Sequence, residues 1–131
     1  MNTLKVTITD IKSSGKLHLV SFQRAHLELT MMSLELNEQL TIGTEVKVGT
    51  KATNVTLSKT FREDISTANQ LQGTIISLEK GALLCSVHIN LAEEIWESII
   101  TLDMLQKMHL KERESIYVLL NASELSIIGA L

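Results

Sequence analysis

Proline is absent from the chain, and cysteine occurs once, at Cys85. Without proline, the tight turns must be made by Gly, Asn, Asp and Ser. A single cysteine excludes an internal disulfide and fits a reducing compartment. The only aromatic residues are Phe22, Phe61, Trp96 and Tyr117, too few for the stacking platform of a single-strand nucleic-acid binder. No apolar run approaches the ~20 residues of a membrane span, and the N-terminus lacks a signal-peptide hydrophobic segment. The expectation is a cytoplasmic chain without membrane insertion. The formal net charge of -3 argues for neither a strongly basic nor a strongly acidic partner. Also missing are a Gly-rich phosphate loop after a strand, a nucleophile elbow and a paired catalytic carboxylate motif, so no enzyme activity is expected.

What is present is an internal repeat. Leu4 and Leu71, Ile8 and Ile75, Ile11 and Leu78, Leu17 and Leu84, Val20 and Val87, and Phe22 and Ile89 are all separated by the same 67 positions. The offset becomes 68 where Ser33-Leu34-Glu35-Leu36 meets Thr101-Leu102-Asp103-Met104. It becomes 70 where Ala52-Thr53-Asn54-Val55 meets Ala122-Ser123-Glu124-Leu125. The second copy has thus gained three residues, of the kind that loops absorb. The reading is two copies of one unit, residues 1–61 and 67–131, joined by a connection at 62–66. A unit of about 60 residues is near the lower limit for burying a sufficient core alone, so the copies are expected to pack on each other and on further subunits.

Within each copy the hydrophobic period is that of strands. Leu4, Val6 and Ile8 alternate with Lys5, Thr7 and Thr9, and Asp10 to Gly15 has turn chemistry. Leu17 and Leu19 continue a second strand, Leu27, Leu29 and Met31 a third, and Val46, Val48, Val55 and Leu57 the last ones. Ser33 before Leu34 to Leu40, and Thr101 before Leu102 to Met108, can each cap a helical turn. The predicted fold class is all-β: two tandem OB-like five-stranded barrels, each with one short helical turn.

The second copy resembles the Mop/TOBE module, whose pattern opens Ser-Ala-Arg-Asn-Gln-Leu-x-Gly, passes a Gly-Ala-Val turn and closes with Lys-Ala-Ser-x-Val. Here the corresponding segments are Ser66-Thr67-Ala68-Asn69-Gln70-Leu71-Gln72-Gly73, Gly81-Ala82-Leu83 and Asn121-Ala122-Ser123-Glu124-Leu125, a match spanning residues 66 to 128. The first copy keeps Asn2-x-Leu4 and Lys51-Ala52-Thr53-Asn54-Val55. The resemblance implies a free-standing, molbindin-like tandem protein that stores a tetrahedral oxyanion, molybdate or tungstate, at module or subunit interfaces. It also implies self-assembly into dimers or trimers of two-module chains.

Such a dianion needs donors only: backbone amides, hydroxyls and a nearby cation. Carried over, the anion-binding candidates are Ser66, Asn69, Ala122 and Ser123 in the second copy and Asn2, Lys51, Ala52 and Thr53 in the first. The favoured geometry joins Ser66 and Asn69 with Lys51, Ala52 and Thr53 of the same or a neighbouring chain. Two departures weaken the pattern: the family arginine is Ala68 and the second-copy lysine is Asn121.

Plainer readings stand beside these. Ser or Asn before a strand is more often a turn former, and Ala-Ser before an apolar strand is ordinary sequence. Cys85 and His88 have the spacing of half a zinc site, but on a strand they face opposite ways and no second pair exists, so no metal cation is expected. Met31, Met32, Met104 and Met108 read as packing residues. Two alternatives remain: a degenerate TOBE module with a regulatory or assembly role and no anion, and a single-stranded nucleic-acid-binding OB protein.

Overall fold

The alternating pattern produces ten strands, in a computed structural model that describes residues 1–131 apart from the side chain of Ala130. The first half supplies β1 (Asn2–Ser14), β2 (Leu17–Arg24), β3 (Leu27–Ser33), β4 (Glu45–Thr50) and β5 (Thr56–Ser58). The second supplies β6 (Asn69–Lys80), β7 (Leu84–Leu91), β8 (Glu94–Thr101), helix α1 (Leu102–Met108), β9 (Ser115–Leu120) and β10 (Ser126–Ala130). Asn2, Leu4, Val6 and Ile8 are buried on one face of β1, while Lys5 and Thr9 are exposed on the other.

All pairing is antiparallel, in two five-stranded sheets ordered β10-β4-β1-β2-β3 and β5-β9-β6-β7-β8. Each sheet therefore takes four strands from one half of the chain and its fifth from the other. The ladders shift register at equivalent places, between Ile8 and Asp10 and between Ile75 and Ser77. An extra residue on one strand bends it and raises its twist, which curls both sheets in the same way. The inner faces share one apolar cluster that includes Leu4, Val48, Leu71, Val87 and Trp96. No helix among the described residues is long and apolar enough to cross a membrane.

The halves differ after their third strands. In the second, the Thr101 hydroxyl accepts the Met104 amide at 3.2 Å and starts α1, and left-handed His109 ends it. Leu105 is buried beneath the helix. In the first, residues 34–40 are irregular, with a turn at 38–39, rather than the helix suggested by Ser33. The Ser33 hydroxyl instead takes the Glu35 amide and donates back to the Glu35 carbonyl, while Asn37 Oδ1 accepts the Gln39 amide at 2.9 Å. These local bonds two residues ahead compete with the helical ladder. The connection is also shorter, running over 34–44 in the first half against 102–114 in the second.

Candidate functional site

The repeat places two equivalent side chains where the halves meet. Asn2 Oδ1 accepts the Glu97 amide at 2.8 Å, and Asn2 Nδ2 donates to the Glu97 carbonyl at 2.7 Å. Asn69 does the same to Thr30, at 2.7 and 2.9 Å. Each asparagine thus pairs both outward backbone groups of one residue on the other half's edge strand, where no further strand completes the ladder. The two amides were expected from sequence as anion donors, and in the chain both are engaged in these clips.

Further contacts tie the halves together. Trp96 Nε1 donates to the Thr3 carbonyl at 2.9 Å, and the buried Ser98 hydroxyl donates to the Val55 carbonyl at 2.8 Å. Arg24 donates to the Ala92 carbonyl from both Nε and Nη2, at 3.0 and 2.7 Å.

The remaining candidates lie on two matching turns and on the approach to β6. Lys51 is extended and exposed, and leads into a 3-10 turn at Ala52–Asn54. The turn's own bonds run from the Asn54 amide to the Lys51 carbonyl at 3.0 Å and from the Val55 amide to the Ala52 carbonyl at 3.4 Å. The amides of Ala52 and Thr53 have no partner inside the turn, as expected of the first residues of a helical turn. Asn121 leads likewise into Ala122–Glu124, where the Glu124 amide bonds the Asn121 carbonyl at 3.0 Å. Thr53, Ser66 and Ser123 are exposed, and Ala52 and Ala122 half-buried.

Strand pairing decides which of these residues share a region. Asn2 stands opposite Thr50, so it neighbours Lys51, Ala52 and Thr53. Asn69 stands opposite Leu120, two residues before Ala122. Among the described residues no hydrogen bond or ion pair joins Ser66 to Lys51, Ala52 or Thr53.

The two turns differ electrostatically. The first carries a cation at Lys51 and no acid, whereas the second has Asn121 in the lysine position and Glu124 inside the turn. A carboxylate repels an anion, and the first turn carries no such repulsion. Arg62, close in sequence to Ser66, is already paired with Asp64 at 3.0 Å. Hydrogen bonding to that carboxylate raises the guanidinium's pKa, and the same contact holds Asp64 below its usual range. Sequence reasoning overlooked the charge of Glu124. The shift to an offset of 70, which aligns it with Asn54, was the available signal.

A solved structure matches this arrangement over almost its whole length. The cytoplasmic molybdate-binding protein ModG, crystallised from PEG with molybdate bound, superposes with a TM-score of 0.89 at 26% sequence identity, covering 99% of this chain and 96% of that one. The chain has a two-part, all-β Mop-type fold. MopII from Clostridium pasteurianum, in an apo form, is 28% identical and is covered completely by 50% of this chain, with a TM-score of 0.47. Neither the family models searched nor the curated proteins match the sequence. In this Mop-type fold the paired clips and exchanged strands give a concrete meaning to the tandem repeat: each half of the chain finishes the other's sheet.

Proposed function

We propose that the chain binds a tetrahedral oxyanion, molybdate or tungstate, in the cytoplasm and acts as a store or buffer of it rather than as an enzyme. The observation that carries this reading is the full-length similarity to ModG, a molybdate-binding protein, with both modules matched. The modules, residues 1–61 and 67–131, each contribute one turn. The receptor is built around the Lys51 turn, with the Ala52 and Thr53 amides, the Thr53 hydroxyl and the Lys51 ammonium as donors. Ser66 and the approach to β6 of a neighbouring copy complete it. Such a site requires a homo-oligomer, a dimer or trimer of two-module chains. The second turn, with Asn121, Ala122 and Ser123, is the weaker receptor.

Isothermal titration with sodium molybdate tests the reading. Wild type is expected to release a saturable heat. Lys51→Ala is expected to weaken affinity about ten- to a hundredfold, the worth of one charge-assisted hydrogen bond. An unchanged titration removes Lys51 from the receptor. Chromatography with light scattering is expected to give a species larger than the 14.6 kDa chain. A monomer would leave the proposed receptor incomplete.

One observation favours a second reading, an assembly module without an anion. Both Asn2 and Asn69 are engaged in structural clips, and the family cations are replaced at Ala68 and Asn121. Absence of heat with an oligomer retained would select it.

A further inference from the structure

Phe22 and Trp96 are buried in the core, whereas Phe61 is 55% exposed. Its ring meets Tyr117 edge to face, with centroids 6.0 Å apart and planes at 69°. The segment that carries Phe61 is pinned from β6. Gln70 Oε1 accepts the Arg62 amide at 2.8 Å and Gln70 Nε2 donates to the Arg62 carbonyl at 2.6 Å, so the residue after Phe61 is held by both backbone groups. Phe61 and Tyr117 line a cleft of about 400 Å³ together with His26 and Glu28 from the first half of the chain and Ala68 and Gln72 from the second. That volume lies in the range of small-molecule sites.

The polar groups of the cleft are unequally committed. His26 Nε2 donates to the Gln72 carbonyl at 3.2 Å, and Gln72 Nε2 donates to the Ser115 hydroxyl at 3.1 Å. Among the described residues the Glu28 carboxylate makes no ion pair and accepts no hydrogen bond. The cleft therefore offers an exposed aromatic pair and a free group that only accepts. That carboxylate repels an anion, so the cleft is not the oxyanion receptor proposed above.

The duplication shows that the fold does not require these groups. At the offsets of 67 and 70, the equivalents of Glu28, Gln72 and Tyr117 are Ile95, Lys5 and Lys47. Strand pairing agrees with the match, since Gln72 stands opposite Tyr117 as Lys5 stands opposite Lys47. The other side of the molecule thus keeps the backbone and has neither the aromatic nor the acid.

We propose that this cleft binds one planar heterocycle with adjoining N–H donors, of the guanine type, its ring against Phe61 and Tyr117 and its N–H edge on the Glu28 carboxylate. Stacking on an aromatic side chain is open to every base. The carboxylate supplies the choice, because it accepts from two neighbouring N–H groups and opposes a ring that presents a lone pair there. One exposed aromatic pair makes one stacking station, which suits a free nucleoside rather than a strand.

Titration calorimetry of the full chain with guanosine, and separately with adenosine, tests this site. Guanosine is expected to bind about tenfold tighter than adenosine, whose corresponding ring nitrogen accepts instead of donating. Glu28→Gln is expected to weaken guanosine about tenfold and erase the preference, whereas Phe61→Ala is expected to weaken both nucleosides about tenfold. Both side chains are exposed, so the melting temperature of each variant is expected to match wild type. A wild-type chain that binds neither nucleoside, or both equally, overturns the proposal, as does Glu28→Gln that keeps the preference. Binding of a single-stranded oligonucleotide that tightens with its length also overturns it, in favour of a strand. None of these outcomes touches the oxyanion reading, which molybdate titration tests separately.

Discussion

The two halves of the chain share their framework contacts and differ in their finishing ones. The bulges at Ile8/Asp10 and Ile75/Ser77, the clips from Asn2 and Asn69, and the 3-10 turns at Ala52–Asn54 and Ala122–Glu124 recur in both. The cap over the third strand, the lysine before the turn, and the residue at 50 or 120 do not. The clips recur because each sheet borrows a strand and each edge strand is held from across the seam, while the bulges recur within each half. Other seam bonds, from Trp96, Ser98 and Arg24, are one-sided: their equivalents in the repeat are Leu29, Met31 and Leu91, which have no polar group to offer. The duplication therefore keeps the clips in common and lets the remaining seam contacts differ.

The clips offer the strongest way to break that equivalence. Asn69→Ala leaves the Thr30 amide and carbonyl unpaired at a position where the asparagine is 0% exposed. Unpaired buried groups of this kind cost about 1–3 kcal/mol each, so denaturant unfolding is expected to lose about 2–4 kcal/mol. Asn2→Ala is expected to lose slightly less, because Asn2 is 5% exposed where Asn69 is 0%. Equal losses would mean that the small difference in burial between the two clips carries no energetic weight.

The caps give a smaller and more local contrast. Thr101→Ala deletes the acceptor for the Met104 amide and is expected to cost about 1 kcal/mol, the usual worth of a helix N-cap. Ser33→Ala removes a hydroxyl engaged only with Glu35, in an exposed turn, and is expected to change stability by less than about 0.5 kcal/mol. A loss at Ser33 as large as that at Thr101 would imply that the first half forms a capped helix in solution.

This contrast also marks where the sequence was readable. Alternation along β1 and β6 disclosed the strands and the buried face, because a half-buried strand must repeat every two residues. The 67-residue offset disclosed the duplication. The caps were half legible: Ser33 and Thr101 look alike as N-caps, and only the Asx bond from Asn37 and the shorter connection turn one of them away from helix. The exchange of β5 and β10 was not legible, since nothing in Thr56–Ser58 or Ser126–Ala130 names the sheet it will join. For the candidate site, the turn residues were found by likeness to a family pattern. Which of them share a region depended on the Asn2–Thr50 and Asn69–Leu120 pairings, which are long-range. The roles of Asn2 and Asn69 as clips could not be read, because an amide that pairs with a backbone and one that holds an anion look the same in sequence.

The smallest effect lies at positions 18 and 85, equivalent in the repeat. His18 is half-exposed and bonded to the Ser13 hydroxyl at 2.7 Å, while Cys85 is 1% exposed. Burial raises the thiol's pKa above its usual range. Two consequences follow with opposite experimental signs. Near neutral pH the folded chain presents almost no thiolate, so a disulfide reagent is expected to label Cys85 only as fast as the second sheet opens. In alkali, the unfolded chain releases the thiol proton first, and the folded chain binds more protons than the unfolded one. Stability is then lost as pH rises through the unfolded thiol's pKa, a slope that Cys85→Ala should flatten. Thr101→Ala, which loosens the cap beside β8, should speed the labelling, and Ser33→Ala should not. Labelling that follows both substitutions equally would make the two halves one cooperative unit, and the difference between their caps would then carry no consequence for how the molecule opens.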